Sequence, residues 1–159
     1  VNWVAIFTRE LYFQILIESI SYCRKQKGME LFCYCIMPNH VHMIFRSKND
    51  DPAGLIRDFK GYTSRKIIRE IKENPRESRK EYLLKMFEEA GATKSNVEKY
   101  QLWQHDNMPI ELYSAKVIKQ KVDYIHNNPV DEDLVYNSFD WKYSSARNYA
   151  GDQSVLEIT

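Results

Sequence analysis

The pattern of apolar residues predicts an α+β domain in which helices pack mainly on one face of an antiparallel sheet. Strand-forming residues run from 31 to 45 and are interrupted by Pro38 and Asn39, a pair typical of a turn between antiparallel strands. Before and after this run, apolar residues recur three and four positions apart, the period of an amphipathic helix. At 159 residues, the chain is long enough for one domain with a hydrophobic core.

The elements follow in order. Apolar positions between Arg9 and Lys27 fit an amphipathic helix, and Gly28 is a natural place for it to end. After the hairpin, the spacing predicts helices at about 53–72 and 77–90, the second ended by a glycine at position 91. Alternating residues predict a strand at about 100–106. We expect a single domain over 1–159, with residues 74–99 as a helical and loop insertion within it.

A last helix is expected to begin after Ser114, which can cap its N-terminus. It should end at Asn128, because Pro129 cannot continue a helix and biases the residue before it away from helical angles. Its apolar stripe consists of Ile118, Val122 and Ile125. Tyr124 and Asn128 are four residues apart, so they lie on one face of the last turn.

His40 and His42 alternate with Val41 on the predicted second strand, so both imidazoles point to the same face. They lie roughly 6.6 Å apart, from two steps of about 3.3 Å each. This spacing lets both reach a single metal ion. The pair alone is equally compatible with two histidines on a half-solvated strand face.

Composition limits the classes of function. The net charge is +1, so DNA binding would depend on a local basic face rather than on the overall field of the protein. The three cysteines lack CxxC spacing, and reduced thiols in a cytoplasmic protein are the simplest interpretation. The sequence has no apolar run long enough for a membrane span and no signal peptide.

Two motifs in order, MPNHVHMIF at 37–45 and VDYIHNNPV at 122–130, resemble the single-tyrosine HUH transposases. The match is to the REP-associated tyrosine transposases and IS200-like transposases, and it is extended by YQLWQH at 100–105 and DWKYSS at 140–145. The resemblance implies the ferredoxin-like antiparallel sheet that forms the palm of HUH nucleases. Members usually have one more core strand before the point where this sequence starts, so we expect the family's first strand to be missing.

The resemblance also implies the site. Tyr124 would be the nucleophile of a DNA transposase that cuts and rejoins single-stranded DNA through a 5′-phosphotyrosine intermediate. His40, His42 and Asn128 would bind Mg²⁺ or Mn²⁺. Asn127 would replace Asn128 if the helix boundary shifted by one residue. Relatives differ in whether the tyrosine helix serves its own or a partner's histidines, so a monomer and a homodimer both stay open.

Other polar residues have weaker assignments. His105 is a further candidate near the site, and Tyr62 is the next candidate nucleophile. His126, about 200° round the helix from Tyr124, is expected to pack or to contact substrate. Lys121 could favour the phenolate of Tyr124. Basic candidates for DNA contact, equally compatible with a solvated charged surface, are Arg46, Arg57, Lys60, Arg65, Lys66 and Lys121.

The sequence is compatible with two functions other than that of a DNA transposase. A nucleotide hydrolase with histidines alternating along a strand would need a third histidine where Ile44 stands. A domesticated DNA-hairpin-binding protein would keep the scaffold and lack transposition activity. Capture of labelled single-stranded hairpin DNA as a covalent adduct would separate a nuclease from a binding protein.

Overall fold

The structure is a computed structural model that describes residues 3–92, 99–104 and 109–159. Its centre is an antiparallel hairpin, with helices before and after it in the chain. None of the described helices is long and apolar enough to cross a membrane. The elements in chain order are α1 (Glu10–Gln26), β1 (Met29–Ile36), β2 (Val41–Ser47), α2 (Pro52–Glu73), α3 (Lys80–Ala92), α4 (Ala115–Asp131), a 3₁₀ turn (Ser138–Asp140) and α5 (Ala146–Tyr149).

The hairpin has the predicted turn, and its register places His42 opposite Cys35. Gly28 connects α1 to β1 with a φ of +73°, a conformation that favours glycine because it has no Cβ. Leu31 and Cys33 flank a bulge in β1, whereas the alternation along β2 is unbroken. Every second side chain of β2 therefore points to the same face of the sheet.

The outer edge of β1 is covered by the C-terminal part of the chain. Ile36 donates its backbone N–H to the Tyr143 carbonyl at 2.9 Å, and Ser145 donates to the Tyr34 carbonyl at 2.9 Å. Thr159 donates to the Leu31 carbonyl at 2.7 Å. These bonds satisfy backbone groups that a bare strand edge would leave unpaired.

The two faces of the hairpin pack against different helices. Val41, Met43 and Phe45 of β2 lie against the large core, to which α1, α2 and α3 contribute. A smaller core on the opposite face joins residues in and next to β1 to α4: Cys33, Cys35, Met37, Val122 and Ile125. The predicted α+β fold, with an antiparallel sheet and helices mainly on one face, is confirmed. Helix α4 packs on the second face, where Tyr149 of α5 contacts its His126 edge-on.

The predicted strand at 100–106 is wrong for the residues that the structure describes, since 99–104 contain no strand. Trp103 packs against Phe7 and Phe59, and its indole N–H donates to Thr63 Oγ1 at 2.9 Å. Leu102 is buried in the same core. Packing against α2 therefore positions this segment, because the successive residues Leu102 and Trp103 both pack in the same core rather than on opposite faces of a strand.

Two helix boundaries also differ from prediction. Helix α3 begins at Lys80, later than the predicted residue 77, and includes Gly91 rather than ending before it. Helix α4 starts after its Ser114 cap as predicted but continues through Pro129 to Asp131. The ring of Pro129 removes only one backbone donor, and the helix closes after it with the Glu132 N–H bonded to the Asn128 carbonyl at 3.0 Å.

Candidate metal and nucleophile site

Strand β2 brings the two histidines together on the face that carries α4. His40 immediately precedes β2, and His42 is its second residue. Their ring centroids are 4.7 Å apart and the rings are nearly perpendicular, at 81°. The predicted pairing of the two imidazoles is therefore present in the structure.

Helix α4 places the tyrosine beside this pair. Val122 and Ile125 are buried against β1, which orients the neighbouring helix face towards the histidines. The Tyr124 ring centroid lies 5.7 Å from that of His42, at an interplanar angle of 71°. All of these residues belong to one chain, so the helix reaches its own histidines. Ile118 of the predicted apolar stripe is 39% exposed and does not contribute to this packing.

Asn128 is buried, and its two polar atoms have different partners. The side-chain N–H donates to the Tyr124 carbonyl at 2.8 Å. The amide oxygen is then the atom left to interact with His40 and His42, and this interaction opposes the lowering of both pKa values by burial. Asn127 is exposed, so the geometry favours Asn128 over its neighbour as a third ligand.

Burial keeps the imidazoles neutral. It lowers the pKa of His42 to about 4, with help from the charge of His40 and of Lys121 and against the effect of Asn128. Burial also lowers the pKa of His40, against the opposing effects of Glu132 and Asn128. A neutral imidazole is the form that binds a metal ion.

The donor set fits a divalent cation. The Nε2 atom of His42 is buried without a hydrogen-bond partner among the described residues, and the oxygen of Asn128 faces the same place. A divalent cation at this place would be held by the ring nitrogen and the amide oxygen together. Two imidazole nitrogens and an amide oxygen suit Mn²⁺ and are compatible with Mg²⁺. No group of three or more His, Cys, Asp or Glu side chains in the described parts of the chain could hold a metal, so a third ligand beside His40 and His42 would have to be another residue type, such as Asn128.

Tyr124 is accessible to a large substrate because 52% of its surface is exposed. The Lys121 ammonium lies 5.6 Å from the centroid of the tyrosine ring, as the spacing of three residues suggested. Tyr62, the next candidate nucleophile, lies on α2, which packs on the other face of the sheet. His105 lies outside the described residues.

Sequence reasoning missed two polar neighbours of His40. Glu132 follows Asn128 by four residues, and its negative charge opposes the lowering of the His40 pKa by burial. The i+4 spacing could have identified Glu132 if the helix had been predicted to continue past Pro129. Asn39 Oδ1 lies 2.6 Å from His40 Nδ1. Its only sequence signal is its position next to the histidine.

His126 is packed away from the candidate site. Its Nε2 lies 2.8 Å from Ser145 Oγ and 3.4 Å from Cys33 Sγ, and its ring contacts Tyr149 edge-on at 4.9 Å. Burial lowers the pKa of His126, against the charge of Asp123. The packing role expected for this histidine is the one that the structure describes.

The structure divides the basic candidates between the two faces of the sheet. Lys121 and Arg46 lie on the face of the histidines, although Arg46 Nε pairs with Glu30 at 2.7 Å across the hairpin. The remaining candidates belong to α2, behind the sheet. Their contacts are Arg57 with Asp58 at 3.7 Å, Lys60 with the Gln104 carbonyl at 2.5 Å and Lys66 with the Tyr62 ring at 5.9 Å. Arg65 lies on the same helix.

Comparison with known proteins supplies the family. The family model described as "Transposase IS200 like" matches residues 4–100 of this chain. The chain belongs to the IS200-like transposase family. The matched region of this family member includes His40 and His42 and ends before α4, so the roles of Tyr124 and Asn128 depend on the geometry above.

A solved structure is similar to this IS200-like family member over most of its length. It is described as a REP-associated tyrosine transposase bound to a REP hairpin. The TM-score is 0.56 at 18% sequence identity, and the alignment covers 94% of this chain and 75% of the other. At this identity the similarity shows the fold. No curated protein matches the chain.

Proposed function

We propose that this IS200-like transposase cuts and rejoins single-stranded DNA through Tyr124, with a divalent cation held by His40, His42 and Asn128. The observation that carries the proposal is the 5.7 Å separation of the Tyr124 and His42 rings within one chain. A strand and a helix that are distant in sequence bring a phenol, two neutral imidazoles and an amide oxygen to the same place. No packing requirement of the core explains that combination, because Tyr124 is half exposed.

The cation would be Mg²⁺ or Mn²⁺, bound by the imidazole nitrogens and the Asn128 oxygen. When bound, such an ion polarises a phosphate and stabilises the charge that develops there. His40 and His42 are neutral near pH 7 because burial lowers both pKa values, so they need to lose no proton first. The fixed side chains would also orient the phosphate relative to the phenol.

Tyr124 performs the transfer. Its phenolic oxygen attacks the phosphorus, the bond from phosphorus to the 3′ oxygen breaks, and a 5′-phosphotyrosine bond forms. The phenol loses its proton to solvent, and the departing 3′ oxygen gains one and becomes a free hydroxyl. Lys121, 5.6 Å from the ring centroid, would bring a positive charge close to the reacting tyrosine. The covalent bond retains the energy of the phosphodiester, so rejoining needs no ATP.

The substrate would be single-stranded DNA beside a hairpin. The similar solved structure contains a REP hairpin, and Lys121 and Arg46 lie on the face of the candidate site. Because α4 reaches the histidines of its own chain, a monomer would suffice, and a homodimer is not required for a complete site.

We also propose that residues 1–159 form a single domain in which residues 74–99 are an insertion. Helix α3, which lies in this insertion, contributes buried side chains to the main core.

The test is a covalent-capture experiment with an unpaired oligonucleotide flanked by a hairpin, in Mn²⁺ or Mg²⁺. With label at the 3′ end, the wild type should give a denaturation-resistant protein–DNA adduct. With label at the 5′ end, it should release a shorter, unattached strand. Tyr124→Phe should lose the adduct and fold normally, because the lost hydroxyl belongs to an exposed ring.

The matched control is Tyr62→Phe, which alters a similarly exposed tyrosine on the other face of the sheet and should retain the adduct. An adduct formed by Tyr124→Phe would refute Tyr124 as the nucleophile. Hairpin binding by the wild type without any adduct, in either metal, would instead favour a DNA-binding protein that has lost its chemistry.

A further inference from the structure

Asn39 connects the N-terminal segment to the first histidine of the site. Its side-chain oxygen lies 2.6 Å from His40 Nδ1, and its side-chain nitrogen lies 3.3 Å from the backbone carbonyl oxygen of Trp3. The Trp3 ring also contacts the His40 ring edge-on, with centroids 5.8 Å apart. One amide therefore bridges the histidine and a backbone group on another segment.

The two partners determine which way the amide faces. A backbone carbonyl can only accept a hydrogen bond, so the group that Asn39 presents to Trp3 is its NH₂. The oxygen of Asn39 must then face His40. That oxygen carries no hydrogen, so the hydrogen in this short contact belongs to Nδ1 of His40. In a neutral imidazole, the other nitrogen then has a free lone pair.

The turn that carries Asn39 is fixed at both sides. The Pro38 carbonyl accepts the backbone N–H groups of Ile6 and Phe7, each at 2.8 Å. The Met37 N–H donates to the His40 carbonyl at 2.8 Å and closes the turn. The backbone on both sides of Asn39 is therefore hydrogen-bonded, which limits the positions that its side chain can take.

We infer that Asn39 is a positioning residue, whose oxygen accepts the Nδ1–H of His40 and thereby fixes the imidazole with Nε2 as the metal-binding atom. The inference rests on the proposed function in one respect, since it assigns Nε2 to the cation of that site. The same ring nitrogen of His42 is buried without a hydrogen-bond partner among the described residues, and the Asn128 side chain interacts with both imidazoles. Metal-bound histidines commonly donate their second ring N–H to an oxygen in this way, and loss of that oxygen weakens metal binding about 10–100-fold.

The first test reads the tautomer without any metal. Long-range ¹H–¹⁵N correlation of the histidine rings in the metal-free wild type should show His40 protonated at Nδ1. Asn39→Ala should shift His40 towards the Nε2-protonated form. Asn39→Asp should retain the Nδ1-protonated form, because a carboxylate oxygen also accepts this hydrogen. A wild-type His40 protonated at Nε2 would overturn the inference.

The second test measures Mn²⁺ binding by electron paramagnetic resonance of the free ion. Asn39→Ala should weaken binding about 10–100-fold, Asn39→Asp should restore it, and Asn49→Ala, which alters an exposed asparagine after β2, should leave it unchanged. Equal weakening in Asn39→Ala and Asn39→Asp, or none in Asn39→Ala, would overturn the inference. Circular dichroism checks folding, and the wild-type tautomer decides the matter if Asn39→Ala does not fold.

His40→Ala separates this inference from the proposed function. If it binds Mn²⁺ as tightly as the wild type, the metal site of the proposed function is wrong, whatever the tautomer. If it loses Mn²⁺ while Asn39→Ala does not, the metal site stands and the role of Asn39 is wrong.

Discussion

At the level of single residues, Asn128 makes two separable contacts, and each can be tested. Its NH₂ holds the Tyr124 carbonyl, and its oxygen faces the histidines. Asn128→Ala should weaken Mn²⁺ binding by at least the 10–100-fold typical of losing an outer partner, since it removes a proposed ligand. It should also lower the free energy of unfolding by about 1 kcal/mol, for one hydrogen bond. Calorimetric Mn²⁺ titration and urea unfolding measure the two effects.

Asn128→Asp separates the contacts, because it keeps an oxygen ligand and loses the donor to Tyr124. It should bind Mn²⁺ at least as tightly as the wild type while retaining the loss of stability. Asn127→Ala alters the exposed neighbour and serves as the control for both measurements. Weaker Mn²⁺ binding in Asn127→Ala than in Asn128→Ala would show that the ligand was assigned one residue too late.

The site residues were predictable to the extent that local periodicity determines them. Alternation on a strand pairs His40 with His42, and the four-residue spacing on a helix pairs Tyr124 with Asn128. The approach of the Tyr124–Asn128 pair to the His40–His42 pair was expected from the family resemblance and not from periodicity. The pairing of Arg46 with Glu30 depends on strand register, which a bulge in β1 shifts and which the sequence does not reveal.

At the level of elements, helix α4 is held on the sheet by a buried polar connection as well as by apolar contacts. Ser145 Oγ lies 2.8 Å from His126 Nε2 and accepts the Tyr34 backbone N–H at 2.9 Å. Ser145→Ala removes both interactions and deprives the buried Tyr34 N–H of this acceptor, so it should cost about 1–3 kcal/mol of unfolding free energy. Denaturant unfolding followed by tryptophan fluorescence measures this cost.

Ser78→Ala is the matched control for this change, because Ser78 is exposed and its substitution should shift stability by no more than about 0.5 kcal/mol. Ser145→Ala should also slow adduct formation, since it loosens the helix that carries Tyr124. Stability equal to that of the wild type would show that apolar packing alone fixes α4.

Element boundaries were less predictable than the elements themselves. Helix α4 was expected to stop before Pro129 because proline lacks a backbone N–H. In the structure the helix lacks that one hydrogen bond and still continues to Asp131. The segment at 100–104 shows the opposite error. Its alternation predicted a strand, and the contact of Trp103 with Thr63 and Phe59 on α2 overrides that preference. The helix tolerates the loss of one backbone donor, and tertiary packing positions the 100–104 segment; periodicity records neither effect.

For the whole molecule, a buried carboxylate connects segments that are distant in sequence. Glu77 is nearly inaccessible, and its oxygen accepts from Arg9 Nε and from the Tyr12 hydroxyl, each at 2.8 Å. The backbone N–H of Arg79 donates to the second oxygen at 3.2 Å, and the Arg79 guanidinium reaches the Ala5 carbonyl at 2.7 Å. Helix α1, the segment before it and the loop before α3 thus meet at one acidic group, which no local sequence pattern indicated.

Glu77→Gln should therefore destabilise the protein in a pH-dependent way. Burial raises the pKa of the Glu77 carboxyl, but the bonds from Arg9, Tyr12 and Arg79 outweigh it, so the pKa falls below its ordinary 4.5. A carboxyl whose pKa is lowered on folding stabilises the fold above its unfolded pKa and loses that contribution as the pH falls through the folded value. At pH 7 the substitution should cost about 1.5–3 kcal/mol, for hydrogen bonds to a charged group.

The difference in unfolding free energy between wild type and Glu77→Gln should thus be constant from pH 7 to about pH 5 and shrink below the ordinary carboxyl pKa of 4.5. Glu88→Gln is the control, because Glu88 pairs with Lys99 at 3.4 Å at an exposed position and should matter by less than about 1 kcal/mol at any pH. A Glu77→Gln effect that is independent of pH down to pH 3 would show that shape and hydrogen bonding, rather than the charge of Glu77, hold these segments together.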